Sequence, residues 1–430
     1  MLEAGWRSTA NRQYKLIGGP DEENLAELRR AVDEYAMGAA FQQQLLDSMA
    51  PTVVAQVAPP HTWFGMQVPG SRILYDNPDT IYRFMGVNKT STYVITGRFT
   101  GDMPADTTFS VLTGLSGVTA DLLAARDLQI GDDGSFTITV SGDAATPAQP
   151  NHLQLTSKAT LIAVWDTLSD WNSQPPMELS IERLSGPRDS LFAQLGGFAI
   201  PLIGPMVTNS RLLTNLVSVI PPFKNPPRIL RGTVTAVVMA LGLRMEGKYI
   251  KVATTDPDTG ERVAPNVLRD PSRNAQFLAT QLQSAGYFDL GDDEALVVTV
   301  DPGNAGYFTV PVTNLWTITD NYWDQQTSLN NAQAQANPDG TYTFVISPTD
   351  PGVYNWVSTG GLNQGTISIR FQDLDATSDV LPTLTSQLVS LHRLPTVLPG
   401  GTRYVTVLER AEQLALRKKG FDVRFAPFPQ

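Results

Sequence analysis

The chain has 430 residues, of which 42% are hydrophobic and 17% are charged, and its formal net charge is −11. This length allows two or three domains with sizeable cores. The acidic balance and the lack of a basic stripe argue against binding to a nucleic-acid backbone. The chain contains no cysteine, which excludes disulfides, thiolate metal sites and a cysteine nucleophile.

The N-terminal region is predicted to be helical over residues 1–71. Apolar residues recur at helical spacing over 24–49, beginning with Leu25, Leu28 and Val32, and Pro51 ends the pattern. The first residues lack a basic start followed by an apolar run, so they are not typical of a signal peptide. We therefore expect a cytoplasmic protein.

Residues 72–185 change to a strand pattern. Short segments rich in β-branched and aromatic residues alternate with Gly, Pro, Asn and Asp. The predicted strands cover 92–99, 107–112, 136–140, 159–166 and 177–184. Evenly spaced short strands of this kind are typical of an antiparallel β-sandwich.

A charge-poor stretch follows, and residues 186–290 are predicted to be a helical connector. Residues 190–243 contain three uncharged runs, interrupted by Gly and Pro residues that make a membrane-spanning helix improbable. We expect them to be buried within the chain or in a homo-oligomer interface, with contact to a membrane surface as the alternative. A second helix is predicted over 272–284.

Residues 291–376 are predicted to form a second sandwich, and 377–430 a C-terminal helical segment. The strands of this sandwich are predicted at 295–300, 306–312, 315–319, 341–347 and 365–371. A C-terminal helix is predicted over 403–419, and its basic end complements the helix dipole.

The two strand-rich regions resemble each other, which indicates an internal duplication. An Asp-Gly turn before an alternating strand occurs at Asp133-Gly134 and again at Asp339-Gly340. Further matched positions are Asn151 with Asn355, Tyr93 with Tyr307, and Asp79 with Asp293. The predicted fold is therefore mainly β, with two related antiparallel jelly-roll-like modules and flanking helices.

Several segments resemble bacterial proteins built from domains of unknown function 1254 and 1214. The motifs that carry the resemblance are Leu315–Thr319, Asn337–Gly340, Asp350–Gly352, Asn355-Trp356, Ile367–Arg370 and Asp76–Tyr82. The resemblance covers about residues 295–375 and 72–185. The order Asn77-Pro78-Asp79 departs from the family pattern, and Leu315 replaces an aromatic residue. The resemblance implies jelly-roll-like modules and frequent oligomers, and no established activity.

The first candidate site is the polar segment from Asn77 to Arg83. In a strand, Asp79 and Arg83 share one face and are predicted to line a pocket wall, while Tyr82 points to the opposite face and into the core. Asp79 would be an acceptor or base and Arg83 a forked donor. The alternative is a turn in which Asn77 and Asp79 hydrogen-bond to the backbone.

A second candidate is a group of carboxylates around two tryptophans. Asp166, Asp170, Glu178 and Glu182 lie near Trp165 and Trp171 in the sequence. Paired carboxylates beside aromatic rings are what glycoside hydrolysis requires. On this interpretation Asp166 joins Asp79 and Arg83 as catalytic candidates, and Trp171 binds ligand. The alternative is a solvated strand face.

The remaining candidates bind ligand or belong to the core. Tyr354, Trp356 and Arg370 are predicted ligand contacts in the second module, together with Asn77 in the first. The aromatic set Tyr322, Trp323, Tyr354 and Trp356 can equally form core corners. The three histidines are far apart in sequence and no nucleotide-binding loop or nucleophile elbow occurs, so neither a metal nor a cofactor is expected.

Two functions from different classes follow from these candidates. The preferred one is binding of a small polar or carbohydrate-like ligand in a cleft between the modules, with hydrolytic or lyase-type processing by carboxylates left open. The alternative is a non-catalytic structural or assembly protein that uses the β modules and residues 190–243 for oligomer contacts. A homo-oligomer is expected on both interpretations.

Overall fold

A computed structural model describes residues 2–63, 65–114, 117–273 and 280–425 of the chain. It begins with helices α1 (Leu2–Gln13) and α2 (Glu22–Leu45). Asp21 caps α2 by accepting the backbone N–H of Asn24, and Glu22 and Glu23 complement the positive end of the helix dipole. The helix predicted from periodicity is confirmed, although it ends at Leu45, before the predicted end.

The first sandwich follows a short hairpin of β1 (His61–Trp63) and β2 (Met66–Val68). Its eight strands are β3 (Thr80–Gly86), β4 (Thr92–Arg98), β5 (Asp106–Thr113), β6 (Val118–Ala124), β7 (Ser135–Ser141), β8 (His152–Gln154), β9 (Ala159–Thr167) and β10 (Glu178–Ser185). They form two four-stranded sheets, ordered β3-β9-β5-β6 and β10-β4-β7-β8. Apolar residues from both sheets, among them Phe109, Ile138 and Ile162, meet in one core.

The region between the sandwiches is helical in its first part. It contains α3 (Leu191–Gln194), α4 (Ile203–Thr208), α5 (Arg211–Val217) and the long helix α6 (Arg228–Thr254). The helix predicted over 272–284 falls partly on residues 274–279, which lie outside the described residues. The prediction is wrong at both ends of this helix. Ser272 forms a β-bridge with Gln283, and residues 282–284 belong to a strand.

The second sandwich also has eight strands. They are β11 (Leu282–Asp289), β12 (Glu294–Asp301), β13 (Ala305–Thr313), β14 (Ser328–Asn330), β15 (Tyr342–Ser347), β16 (Trp356–Ser358), β17 (Gln364–Leu374) and β18 (Thr383–Ser390). The sheets are ordered β11-β17-β13-β14 and β16-β15-β12-β18. Strands β11 and β18 extend the sandwich into segments predicted to be helical. Helices α7 (Leu394–Val397) and α8 (Val407–Phe425) complete the described chain.

The fold is a pair of related β-sandwiches with flanking helices. Each strand of the second sandwich takes the position of the strand eight places earlier, in the same sheet order. Both copies contain one parallel pair, β7 with β8 and β15 with β16. The predicted Asp-Gly turns also match, because Gly134 and Gly340 both have positive φ and the preceding Asp accepts N–H and hydroxyl bonds from the residue after the glycine.

The matched asparagines are equivalent as well. The side chain of Asn151 accepts the N–H and donates to the C=O of Gln129, and Asn355 makes the same two bonds with Gln335. In the first sandwich these bonds join the loop before β7 to the loop before its short parallel partner β8. In the second sandwich they join the loops before β15 and β16. A duplicated hydrogen-bond pattern therefore underlies the duplicated sequence.

Three sequence-based expectations are wrong. Tyr93 lies on β4, whose counterpart is β12, whereas Tyr307 lies on β13, whose counterpart is β5. Asp79 precedes β3, whose counterpart is β11, whereas Asp293 precedes β12. The predicted strand 315–319 is a loop, because the Asn314 side chain accepts the N–H groups of both Trp316 and Ile318 and holds the backbone in a turn.

Candidate functional site

A cavity of about 260 Å³ lies between the two sandwiches. One wall is the outer face of the β3-β9-β5-β6 sheet, and the facing wall includes β17 of the second sandwich. Helices α2 and α6 contribute to its remaining sides. The cavity is therefore formed by elements that are distant in the sequence.

Alternate residues of β3 form the first wall. Thr80, Tyr82 and Phe84 line the cavity, while Ile81 and Arg83 point to the other side of the sheet. The Tyr82 hydroxyl accepts the backbone N–H of Asn77 at 2.9 Å, which fixes the ring at the rim of the loop before β3. The expectation that Tyr82 belongs to the core is wrong, because Tyr82 lies on the outer face of the sheet and this face lines the cavity.

The second wall presents a buried cation. Arg370 on β17 is 4% exposed and donates through Nη2 to the Tyr75 carbonyl. Its Nη1 atom has no hydrogen-bond partner among the described residues, and no described carboxylate lies within ion-pair distance of it. Gln372, two residues along the same face, has an unpartnered Oε1 atom. Both residues line the cavity.

Such a cation is energetically unusual. An isolated buried charge costs several kcal/mol unless an opposite charge or several hydrogen bonds compensate it. A buried donor without a partner adds a penalty of about 1–3 kcal/mol. The strongest acceptor for a guanidinium is a carboxylate or a similar anion.

Three tyrosines surround the guanidinium. Burial raises the pKa of Tyr75, Tyr82 and Tyr249, and the charge of Arg370 opposes that rise in each case. All three phenols are consequently neutral at pH 7. Since all three line the cavity, they surround the cation with neutral hydroxyl groups.

One carboxyl group also lines the cavity. Asp76 accepts hydrogen bonds from the backbone N–H and the hydroxyl of Thr319. Burial raises the pKa of Asp76 to about 6, against the opposing effects of the Thr319 hydrogen bond and the Arg72 charge. The side chain therefore titrates close to neutral pH.

The α6 side of the cavity is apolar. Val238, Met239, Leu241 and Met245 of α6 line it, and Ile73 approaches from the loop before β3. Trp165 on β9 and Phe84 add aromatic surface to the first wall. The cavity is thus amphipathic, with polar groups near β17 and on α2, where Tyr35 and Gln42 line it, and apolar surface elsewhere.

A second buried acid lies behind the helical wall. Glu246 of α6 accepts the hydroxyl groups of Tyr35 and Thr317, and its Oε1 atom has no partner among the described residues. Burial raises the pKa of Glu246 to about 8, with these two hydrogen bonds opposing the rise. Tyr35 lines the cavity and so connects this acid to it.

The predicted pair Asp79 and Arg83 lies elsewhere. The expectation that they share a strand face is wrong: Arg83 lies on β3 and faces the interior of the first sandwich, whereas Asp79 lies in the turn before β3. Neither side chain lines the cavity. Asp79 accepts the Trp171 indole N–H at 2.8 Å and the Tyr307 hydroxyl at 2.6 Å. The turn alternative is confirmed for Asn77, whose side chain accepts the N–H of Asp79.

Asp166 is the ion-pair partner of Arg83. The Arg83 guanidinium donates to Asp166 at 2.7 Å, and both side chains are buried inside the first sandwich. Asp166 also accepts the Thr107 hydroxyl and the Met177 N–H. These contacts satisfy the carboxylate internally and direct it away from the inter-module cavity.

The predicted aromatic ligand contacts are packing residues. Trp171 is buried between Arg417 and Arg424 of α8, whose guanidinium groups lie 4.4 and 4.3 Å from its ring. Tyr354 and Trp356 stack against Arg403 and Arg410 near the start of α8. None of the three aromatic residues lines the inter-module cavity.

Of the predicted site residues, only Asn77 and Arg370 therefore line the cavity. Sequence reasoning missed Asp76, Tyr82 and Gln372 as lining residues. A signal was present in β17, where Ser368, Arg370 and Gln372 alternate with apolar residues and form a continuous polar stripe. Such a stripe normally indicates a solvent-facing strand.

The described ranges contain neither a metal-binding cluster nor a membrane-spanning helix. Within 2–63, 65–114, 117–273 and 280–425, no group of three or more His, Asp or Glu side chains is placed to hold a metal ion. In the same ranges, no helix combines the length and apolar composition needed to cross a bilayer.

Comparison with solved structures shows the fold in a bacterial protein. An uncharacterised protein from Burkholderia cenocepacia superposes with a TM-score of 0.66 at 22% identity, over 91% of this chain and 98% of the other. A Vibrio parahaemolyticus protein has a TM-score of 0.40 at 11% identity, over 83% of this chain and 98% of the other. No protein-family model and no curated protein sequence matches the chain.

Proposed function

We propose that the inter-module cavity binds a small amphipathic molecule with an acidic head group. The observation that carries the proposal is Arg370, a buried guanidinium with an unpartnered Nη1 atom and no carboxylate partner among the described residues. An anion at this place would compensate the charge and complete the hydrogen bonding.

The polar groups around Arg370 support a carboxylate-type head group. A guanidinium presents a planar fork of donors that matches two carboxylate oxygens. The neutral phenols of Tyr75, Tyr82 and Tyr249 surround the same space, and their hydroxyl groups are potential donors to an anion. The polar end of the cavity is therefore suited to an acid.

The apolar surface of the cavity favours an apolar body for the ligand. Side chains of α6, together with Phe84 and Trp165, provide a surface on which a hydrocarbon or aromatic body gains by leaving water. A volume of about 260 Å³ lies near the lower limit of ordinary small-molecule pockets, so the ligand is small. This lining favours an amphipathic acid over a fully polar carbohydrate.

Processing of the ligand remains a separate hypothesis. The catalytic candidates Asp79, Arg83 and Asp166 are engaged in internal contacts away from the cavity. Asp76 is the lining carboxyl group, and its pKa near 6 suits proton transfer. Incubation with a bound ligand, followed by product analysis by mass spectrometry, decides between binding alone and turnover.

The binding proposal is tested by titration calorimetry with three compounds. The first compound is a medium-chain carboxylic acid, which has both an acidic group and an apolar body. The matched primary alcohol keeps only the apolar body, and a hexuronic acid keeps only the acidic group. We expect the carboxylic acid to bind best, and Arg370→Gln to weaken its binding about 10- to 100-fold, as expected for loss of a charge-assisted hydrogen bond.

Arg403→Gln is the matched control, because it makes the same substitution at an arginine that packs on Tyr354 outside the cavity. It should leave affinity unchanged. Equal binding of the acid and the alcohol would contradict the proposal, as would full affinity of Arg370→Gln. Preferential binding of the hexuronic acid would favour the carbohydrate-like ligand.

The assembly alternative stays a prediction. In the single chain, several apolar residues of 190–243 are exposed, including Leu202, Leu212 and Ile229. The expectation that this segment is buried within the chain is wrong for these residues.

A further inference from the structure

Helices α4 and α5 bury one face and expose the other. Val207, Leu213 and Val217 pack with Phe198 and Met49 in a small cluster. Leu212 and Leu216, on the adjacent stripe of α5, point to solvent. The helix pair is thus anchored to Met49 and Phe198 by one apolar stripe while a second stripe stays exposed.

The exposed apolar surface continues along the chain. Leu202 and Ile229 are 86% and 85% exposed, and Val219, Ile220 and Val237 are also exposed. We call residues 202–237 the apolar segment. A soluble surface rarely exposes this many large apolar side chains within one short stretch unless they meet a partner.

The charges of the apolar segment have a single sign. Arg211, Lys224, Arg228 and Arg231 are exposed, and no Asp or Glu occurs between residues 190 and 243. The whole chain nevertheless has a formal charge of −11. None of the four cations forms an ion pair within the described part of the chain. Apolar and basic residues are therefore combined in one stretch of an acidic protein.

We propose that the apolar segment docks on the surface of an anionic lipid bilayer. Exposed leucine, isoleucine and valine side chains would enter the boundary between head groups and acyl chains, while the four cations contact anionic head groups. The acidic remainder of the protein would be repelled from the same surface, and this repulsion orients the molecule. The short helices α4 and α5 and the proline-rich turn before α6 suit lying on a bilayer.

Charge complementarity favours a bilayer over a second copy of the chain. A two-fold contact through this surface would bring the four cations of each copy into one interface, with no carboxylate from residues 190–243 to neutralise them. An anionic membrane neutralises them and covers the apolar side chains at once.

The test is flotation with vesicles of phosphatidylcholine alone or mixed with phosphatidylglycerol, at low and high salt. We expect binding to the mixed vesicles only, weakened by salt. Arg228→Glu combined with Arg231→Glu should lower partitioning at least about tenfold, since each basic residue near an anionic surface contributes measurably to binding. Ile229→Ser should lower it by a similar factor through lost apolar burial.

Two controls use exposed residues of α8. Lys418→Glu combined with Lys419→Glu makes the same charge change on another helix, and Val407→Ser removes a valine that is 91% exposed. Both should bind vesicles as the unmodified protein does, and circular dichroism confirms that every variant is folded. Three results would overturn the proposal: no binding to mixed vesicles, equal binding to neutral vesicles, or a lipid-free dimer in light scattering that Ile229→Ser dissociates.

Discussion

Two buried arginines illustrate how partners decide the role of a residue. Arg83 lies inside the first sandwich and is paired with Asp166 at 2.7 Å. Arg370 lies on the cavity wall, donates to a single backbone carbonyl and has no carboxylate partner in the described part of the chain. The charge of a buried pair is compensated within the fold, whereas an uncompensated buried cation lowers stability.

Replacing each arginine by glutamine should therefore have opposite consequences. Arg83→Gln leaves the Asp166 charge buried without its partner and should lower the free energy of unfolding by about 3–5 kcal/mol. Arg370→Gln removes an uncompensated charge and should leave that free energy unchanged or raise it. Urea unfolding of both variants measures the difference. A comparable loss in both variants would indicate that Arg370 is a structural residue.

Glu246 introduces a pH dependence of stability. Its pKa is about 8 in the folded chain because of burial, against an ordinary value of about 4.3 when unfolded. Between these values the folded state binds one more proton than the unfolded state, so the free energy of unfolding falls as pH rises from about 4.3 to about 8. This contribution is fully present below that window and lost above it.

Glu246→Gln should remove that contribution. The amide oxygen still accepts from Tyr35 and Thr317, and the side chain stays neutral at every pH. We expect a flatter stability profile and a variant more stable than the unmodified protein at pH 9, measured by urea unfolding at pH 5, 7 and 9. Glu182→Gln, an exposed change on β10, is the control. Parallel profiles for Glu246→Gln and the unmodified protein would exclude this role for Glu246.

At the scale of elements, the duplicated asparagines fix the short parallel strands. Asn355 is buried and makes three hydrogen bonds, two to Gln335 and one to the carbonyl of Thr343. Asn151 is half-buried and makes two, both to Gln129. The second copy therefore depends more strongly on its asparagine.

Alanine substitutions should show this difference. Asn355→Ala leaves three backbone groups without partners and should cost about 2–3 kcal/mol, whereas Asn151→Ala should cost about 1–2 kcal/mol because water reaches its partners. Denaturant unfolding of the two single variants provides the comparison. If Asn151→Ala were the more destabilising of the two, burial would not control the strength of this contact.

Strands and turns were predictable because their signals are local. The Asp-Gly turns, the alternating strands and helix α2 follow from residues within one element, and the structure confirms them. The cavity was not predictable, because the polar stripe of β17 resembles a solvent-facing strand until α6 and the first sandwich cover it. Strand alternation likewise predicted one shared face for Asp79 and Arg83, but the local pattern contained no information on where β3 begins or which of its faces is buried in the sandwich.

At the scale of the molecule, one buried network joins the two sandwiches and the C-terminal helix. Asp79 precedes the first sandwich and accepts hydrogen bonds from Trp171 and from Tyr307 of the second sandwich. Arg424 of α8 lies over the Trp171 ring and donates to the Pro78 carbonyl at 2.6 Å. Burial lowers the pKa of Arg417 to about 10, and the negative charge of Asp79 opposes this by favouring the charged form of Arg417.

Asp79→Asn should therefore destabilise the whole molecule and leave the cavity intact. The indole of Trp171 can only donate, so the amide oxygen must face it and the amide nitrogen must face the Tyr307 hydroxyl, which already receives the side-chain N–H of Asn77. The lost carboxylate also leaves the cations of α8 less compensated. We expect a loss of about 2–4 kcal/mol in the free energy of unfolding and a lower thermal midpoint by calorimetry.

The affinity of the Asp79→Asn variant for a cavity ligand, measured well below its thermal midpoint, should remain within about twofold of the original, because Asp79 does not line the cavity. Asp133→Asn, a change at an exposed turn carboxylate, is the control and should leave both the midpoint and the affinity nearly unchanged. The opposite outcome, lost affinity with an unchanged midpoint, would restore the ligand-binding role that the sequence suggested for Asp79. It would also imply that the loop before β3 rearranges when ligand binds, since in this structure Asp79 can reach a ligand only by releasing Trp171 or Tyr307.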